Sequence, residues 1–461
     1  MTSAPRGDTA EAPRPRILFI THLDVWLLTA TEGVSGAGNQ SLYNTLLGYV
    51  AAGYDVHLLT SSAALGGLTQ VGDHITIHRR RVPFLDWVQR LRAWRAARRS
   101  NGDAAITRTP NTAPARNDPS REGSVLASGE SVRFWAAFQL MALWHGWRLA
   151  RRHRYSIFYG YEVRGAPAAF LIGRLRRRPV VTRFQGTELS GLIPRPVELL
   201  RQFWTFVLAY ALPADLVVMA DDGTQGDRML RFVGQPARRC GFWMNGVDRE
   251  RVARPGVDAA AVRRGLEIPD DHAMILTTCR LVGWKRVDRA LEALGRIRPE
   301  TPRFVYVVVG AGPVQAELQS RAARLGLSAQ VRFTGSLPHD RTMDYLNACD
   351  IYLSTYDLSN LGNPLIEATV CGRCIVTLDN GDTRRLIEPD QTGCLLPPED
   401  GAALAAALRR LIGDPSERAR LGAAAAKRGA RLATWSQRME QEIAALRRLT
   451  RGRAMETLST R

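Results

Sequence analysis

Lysine is almost missing from this sequence. Of 63 basic residues only Lys285 and Lys427 are lysines, and against 44 acidic residues the basic set leaves a formal net charge of +19. A bias that uniform reflects overall composition, so single arginines carry little information and a lysine that occurs anyway carries more. Cysteine is scarce as well. The six, at positions 240, 279, 349, 371, 374 and 394, are too few and too scattered for a disulfide scaffold, which points to a reducing compartment. Cys371 and Cys374 form a lone C-x-x-C with no second pair at zinc spacing, so no metal site is expected. His74 and His78 have ligand-like spacing, but ITIH reads as a strand and both are taken as structural. No hydrophobic signal segment opens the sequence. The longest apolar stretches, near 134–150 and 203–220, are broken by Gln139 and His145 or by Pro213 and Asp215, and neither reads as a membrane span. The expected location is cytoplasmic.

What is present is an ordinary globular composition, 45% apolar and 23% charged over 461 residues, enough for two or three domains with full cores. Short β-branched runs alternate with helical stretches: RILFITHL (16–23), YDVHLLT (54–60), RPVVTRF (178–184) and DLVVMA (215–220). The pattern restarts with MILTTCRL (274–281), RFVYVVVG (303–310), QVRFTG (330–335), IYLST (351–355) and RCIVTL (373–378). Alternation of this kind is the signature of α/β domains built on parallel sheets. Two such domains are expected, 14–249 and 250–434, joined near the charged, proline-containing stretch 249–272, with a disordered N-terminus (1–13) and a C-terminal helix and tail (435–461).

The most informative short stretch is DLSNLGNPLIEATVCG, Asp357 to Gly372. Asn363 before Pro364 is a strong helix start, because Asn caps free amides and Pro has no N–H to leave unpaired at the first position. A helix is therefore expected from Pro364, its first turn facing the polar turn Ser359–Gly362, where an anion such as phosphate would fit. Glu367, one turn in and leaning back toward that end, is placed to accept hydrogen bonds from hydroxyls attached to the phosphate, such as those of a ribose. The same acid could instead only complement the helix dipole. In the first half, Gly36 and Gly38 precede a helix whose Leu42, Leu46, Tyr49 and Val50 share one face, a possible second phosphate-facing loop.

Taken in order, NGVD (245–248), CRLVGWKRVDRALEAL (279–294), VVVGAGP (307–313), VRFTG (331–335) and the stretch through IEATVCG resemble the retaining glycosyltransferases of the GT-B fold, the family 4-like "glycosyl transferases group 1". The resemblance implies two facing Rossmann-like domains, with a nucleotide-sugar donor such as a UDP- or GDP-sugar held mainly by the second. It implies a glycan or lipid-linked acceptor held mainly by the first, and a C-terminal helix crossing back, here around Ser436 to Leu449. Position by position, Arg280 and Lys285 match the basic pair on the donor diphosphate, Glu367 the ribose-binding carboxylate, and Gly362 and Asn363 the turn that presents amides to the donor. Fixed cations and a helix start can stabilise a leaving diphosphate without metal, so a metal-independent hexosyltransferase without cofactor is expected.

Three positions depart from the pattern. The family commonly has a Glu where this sequence has Ser359, often a His where RFQGT places Gln185, and an acid where DTRRLIEPDQTG places Arg385. Gln185 can donate and accept hydrogen bonds but cannot act as a base near neutral pH. The set fits a subgroup with another donor sugar or acceptor, or a protein that binds nucleotide without transferring sugar. A basic nucleic-acid-binding protein is a further rival that the charge permits, although no recognisable module supports it. On the acceptor side, FLDWVQRLRAWRAARR (84–99) puts Trp87 and Trp94 on an apolar helical face, a polar loop at 100–131 is expected to be disordered, and FWAAFQLMALWHGWRLARRHR follows with Trp144 and Trp147. Five of the ten tryptophans lie between 87 and 147. Trp and Arg on amphipathic helices suit either an anionic membrane surface with a lipid-linked acceptor or a buried face with a solvated edge.

Overall fold

In a computed structural model the protein is described over residues 13–25, 40–61, 67–82, 129–301 and 303–459, with the side chains of 129–131 and 451–459 set aside. Two α/β domains face each other. The first is built on strands β1 (Arg16–Ile20), β2 (Asp55–Ser61), β3 (Gly67–Val71), β4 (Ile75–Arg80), β5 (Tyr155–Tyr161), β6 (Val180–Phe184), β7 (Leu216–Ala220) and β8 (Cys240–Trp243). Their order in the sheet is β3-β4-β2-β1-β5-β6-β7-β8, parallel except where β3 runs against β4. The second sheet holds β9 (Ala273–Thr278), β10 (Phe304–Val309), β11 (Val331–Gly335), β12 (Ile351–Ser354), β13 (Cys374–Leu378) and β14 (Cys394–Leu396), in the all-parallel order β11-β10-β9-β12-β13-β14.

Parallel strands are covered on both faces, so they read as continuous apolar runs. Every residue of FVYVVV in β10 is buried. The sequence reading did not include β5, YSIFYGY, which directly follows the Trp- and Arg-rich stretch ending at Arg154. It also missed β3, β8 and β14, which are edge or short strands with little pattern to show. The helix Gly129–Arg152 begins inside the segment expected to be disordered, so 129–131 are helical, while 83–128, with Trp87 and Trp94, lie outside the described residues.

The strand orders fix where ligands can sit. In an open α/β sheet the crevice lies beyond the carboxyl ends of the strands where the order reverses direction. In the first sheet that point is β1/β5, and in the second it is β9/β12. The loops leaving β9 and β12 are the stretches that contain Arg280 with Lys285 and Ser359 with Asn363.

The C-terminal helix, Trp435–Ser459, is longer than the stretch expected and returns to the first domain. Its Met439, Ile443 and Leu446 are buried with Leu42, Leu46, Tyr49 and Tyr159. Contact with the helix Gln40–Ala51 is so close that a Cβ on Gly48 would lie 2.3 Å from Met439 Cγ. A buried charged cluster accompanies the apolar contact. Glu442 lies 3.2 Å from both Arg183 and Arg438, and accepts hydrogen bonds from Tyr159 (2.7 Å) and Tyr49 (3.2 Å).

Candidate active site between the domains

The loop after β9 is held against its neighbours by close backbone approach. A Cβ at Gly310 would fall 1.8 Å from the Cys279 carbonyl oxygen, and one at Gly312 would fall 2.2 Å from that of Leu281. The glycines of VVVGAGP therefore let two chains touch. On this support the short turn Gly283–Lys285 carries Lys285 over two rings, its Nζ 3.8 Å from the Trp284 centroid and 3.6 Å from that of Tyr356. Tyr356 is fixed in turn by a hydrogen bond from its hydroxyl to the Thr278 carbonyl, 3.0 Å. Burial pushes the Lys285 ammonium down to about 8, with Arg280 adding to the effect and Cys279, Asp222 and Glu188 opposing it. Asp222 and Glu188 belong to the first domain, so the ammonium faces across the cleft. Arg280 is exposed at the start of the same loop.

The helix after β12 runs Asn363–Val370, one residue earlier than expected, with Gly362 as its cap and no side chain capping it. Asn363 does not cap because its amide is engaged elsewhere. Its Nδ2 donates to Ser41 Oγ (3.3 Å), and its Oδ1 accepts from Asn245 Nδ2 (3.0 Å), both in the first-domain half of the chain. Asn245 Nδ2 also donates to Gln185 Oε1 at 3.0 Å. Gln185 Nε2 donates to the Tyr161 hydroxyl at 2.8 Å, and the Gln185 backbone N–H to Glu162 Oε1 at 3.0 Å. Glu162 itself has φ 65 at the end of β5, a conformation that non-glycine residues hold only when their surroundings enforce it.

Two of the departures from the resembled pattern also make contacts between the domains. Ser359 Oγ donates to the Asp222 carbonyl oxygen at 2.7 Å and accepts from the Leu361 N–H at 3.1 Å, so this hydroxyl is used in both directions. Arg385 donates to Asp221 and lies 3.6 Å from Asp382. Burial pushes the Asp222 carboxyl up to about 6, against hydrogen bonds from the Thr224 side chain and backbone.

Glu367 is buried with its Oε1 3.2 Å from His339 Nε2, at the start of the helix His339–Ala348. With Gln40, Gly246 and Asn363 it lines a narrow crevice between the domains. The structure thus groups Lys285, Ser359, Gly362, Asn363 and Gln185 around facing loops, with Glu367 along the same helix. Gly36 and Gly38 lie outside the described residues. Trp144 and Trp147 stand exposed on the outer face of the helix Gly129–Arg152. The sequence reading missed Asp222, His339 and Tyr161, and quoted Asn245 only within NGVD. Each acts through a partner distant in sequence. Cys371 and Cys374 are buried, and burial pushes both thiols up to about 12, as befits packing residues.

Residues 258–428 match the family Glycosyl transferases group 1. Among curated proteins, the chain is 29% identical over 218 residues to a D-inositol 3-phosphate glycosyltransferase of Streptomyces bingchenggensis, covering 45% of this chain and 48% of the relative. It is 29% identical over 186 residues to the GDP-mannose-dependent alpha-(1-6)-phosphatidylinositol monomannoside mannosyltransferase of Mycolicibacterium smegmatis, covering 39% and 48%. The chain spans about half the length of these relatives. Among solved structures it is similar to the sucrose-phosphate synthase of Thermosynechococcus elongatus, with a TM-score of 0.69 at 19% identity over 95% of this chain and 100% of that one. Residues 258–428 thus match the glycosyl transferases group 1 model, and the chain as a whole has the two-domain GT-B fold.

Proposed function

We propose that the protein transfers a sugar from a nucleotide-sugar donor to a glycan or lipid-linked acceptor with retention of anomeric configuration. The observation that carries this is the placing of the Lys285 ammonium and the start of the helix Asn363–Val370 at the switch point of the second sheet, opposite Gln185. Lys285, Arg280 and the helix start stabilise the negative charge that builds on the leaving diphosphate. A compact, partly desolvated ammonium does this as a point charge, which accounts for a lysine in an arginine-dominated chain. The acceptor hydroxyl attacks C1 from the face the diphosphate leaves. The C1–O bond to phosphate breaks, the bond to the acceptor oxygen forms, and the acceptor proton passes to the departing phosphate oxygen. No strong base is needed from Gln185, which orients the sugar by hydrogen bonding. Glu367, steadied by His339, holds the ribose hydroxyls.

The acceptor reading draws on the two relatives, one named for an inositol phosphate and one for a phosphatidylinositol mannoside, and on one face of the first domain. Leu140, Trp144 and Trp147 are exposed along one side of the helix Gly129–Arg152; Leu171 and Leu175 along Glu162–Leu175; and Val197, Leu200, Trp204 and Leu208 along Pro196–Ala211. The spacings place each set on one helical stripe. Arg148 and Arg176 lie over Trp144 and Trp147. Apolar stripes edged with arginine suit an anionic lipid surface, so the enzyme works as a peripheral protein at the inner face of the membrane. No described helix is long and apolar enough to cross one.

A thermal-shift screen of nucleotide sugars, with and without chelator, tests the donor assignment. A ligand at about 100 times its dissociation constant adds about 2.7 kcal/mol of stability. The expected result is a rise with one donor class that chelator leaves unchanged and that Lys285→Ala cuts by about half or more. No rise with any nucleotide sugar would refute the reading.

A further inference from the structure

Asn245 touches both sides of the cleft. It accepts from Arg183 Nη2 at 3.2 Å through Oδ1, and its Nδ2 faces three acceptors, Gln185 Oε1 and Asn363 Oδ1 at 3.0 Å each and Ser41 Oγ at 3.3 Å. An amide can be reversed without changing its outline, so its direction has to be set by a partner that allows only one answer. Arg183 is such a partner, because a guanidinium donates and never accepts. It must therefore meet Asn245 Oδ1, which turns Nδ2 toward Gln185 and Asn363. Gln185 must then present Oε1 to Asn245, which turns Nε2 toward Tyr161 and leaves its second N–H for the cleft. The origin of this chain is itself fixed. Arg183 and Glu442 are 3.2 Å apart with both side chains 0% exposed, so the direction starts from the C-terminal helix.

We propose that Asn245 is a positioning residue that sets which end of the Gln185 amide faces the cleft. The proposal rests on the glycosyltransferase reading for its catalytic consequence and on the hydrogen-bond geometry alone for the orientation.

Two measurements separate these. Thermal midpoints of Asn245→Ala, Gln185→Ala and the double variant form a cycle that needs no ligand. Residues sharing one hydrogen-bond network give effects that fail to add. Asn245→Asp keeps an acceptor for Arg183 but removes the N–H groups, so Gln185 must turn over. In that variant turnover of the nucleotide sugar should fall about tenfold to a hundredfold, the range for groups that orient a functional side chain, while binding of free UDP or GDP stays within about twofold. Non-additive midpoints with a selective loss of turnover support the proposal. Additive midpoints, or equal losses of turnover and nucleoside diphosphate binding, overturn it. A wild-type protein that ignores every nucleotide sugar but shows a non-additive cycle keeps the orientation and refutes the functional reading.

Discussion

Glu442→Gln is the sharpest test of how the C-terminal helix is held. The carboxylate is 0% exposed and stands between two guanidiniums, Arg183 at 0% and Arg438 at 1%. Burial would raise its pKa, but the two arginines more than offset this and hold the carboxyl below its usual range. Glutamine keeps the shape and one oxygen for the Tyr49 and Tyr159 hydroxyls, but its NH2 then replaces Oε2 opposite the two guanidiniums, so the change removes the charge and the acceptor they share. Two buried cations are then left without a counter-ion. Breaking a buried pair from one side costs about 3–5 kcal/mol. If the first domain and its helix melt as one unit of 150–250 residues, at 2–4 °C per kcal/mol, the midpoint falls by about 6–20 °C. Calorimetry with urea titration measures both quantities. Removing the two cations as well, in Arg183→Met/Arg438→Met/Glu442→Gln, should recover most of the loss, because the desolvation penalty disappears with the charges while the amide oxygen still accepts from Tyr49 and Tyr159. A loss under about 1 kcal/mol for Glu442→Gln would refute the argument, since so small an effect belongs to solvent-screened pairs.

Lys285→Ala should weaken nucleoside diphosphate binding by roughly tenfold or more, the usual loss for a charge-assisted bond to phosphate, and calorimetric titration with UDP and GDP reads it. Acid should destabilise the first domain through His57 and His78, which sit 3.3 Å apart in the sheet and are lowered to about 4 by burial and by neighbouring cationic groups. Their folded pKa values lie below the unfolded value, so their contribution is complete above about pH 6.5 and is lost as pH falls toward 4, at most about 3 kcal/mol for each ring; urea midpoints at pH 7 and 4.5 check this, and His57→Phe should flatten the dependence. Trp144→Ala/Trp204→Ala should lower co-sedimentation with anionic vesicles while leaving nucleotide binding intact, and salt should weaken the wild-type interaction; unchanged sedimentation would remove the membrane face.

Much of the second domain was legible because its strands are buried on both sides and the loops proposed to hold the donor carry rare residue types. Lys285 stood out by being a lysine at all, and Glu367 by its place one turn into a helix announced by Asn-Pro. The helix start was read one residue late because the Asn363 amide serves Asn245 and Ser41 instead of its own helix, and a pairing across more than a hundred residues leaves no local trace. The same reason hid Glu442 and Arg183, whose separation in sequence is 259 residues. His339 was invisible for a different cause. Its neighbours Leu-Pro and Asp read as an ordinary helix start, and only folding sets its ring against Glu367.

The departures at 359 and 385 become one change when their partners are considered. Ser359 and Arg385 reach two consecutive acids of the first domain, Asp222 through its carbonyl and Asp221 through its carboxylate. An acid at position 359 would bring its charge beside Asp222, whose carboxyl burial already pushes up to about 6. An acid at 385 would face Asp221, which is 6% exposed. Like charges at such burial disfavour ionisation and push the domains apart. A hydroxyl and a guanidinium at these positions instead join the loop after β7 to the loops after β12 and β13. Close approach supports the same view, since a Cβ at Gly223 would lie 2.4 Å from Ser359 Oγ and one at Gly381 would lie 2.6 Å from the Gly223 carbonyl oxygen. This chain carries consecutive acids at 221 and 222 on one side of the cleft, and the residues opposite, Ser359 and Arg385, supply the hydrogen bonds that their oxygens accept.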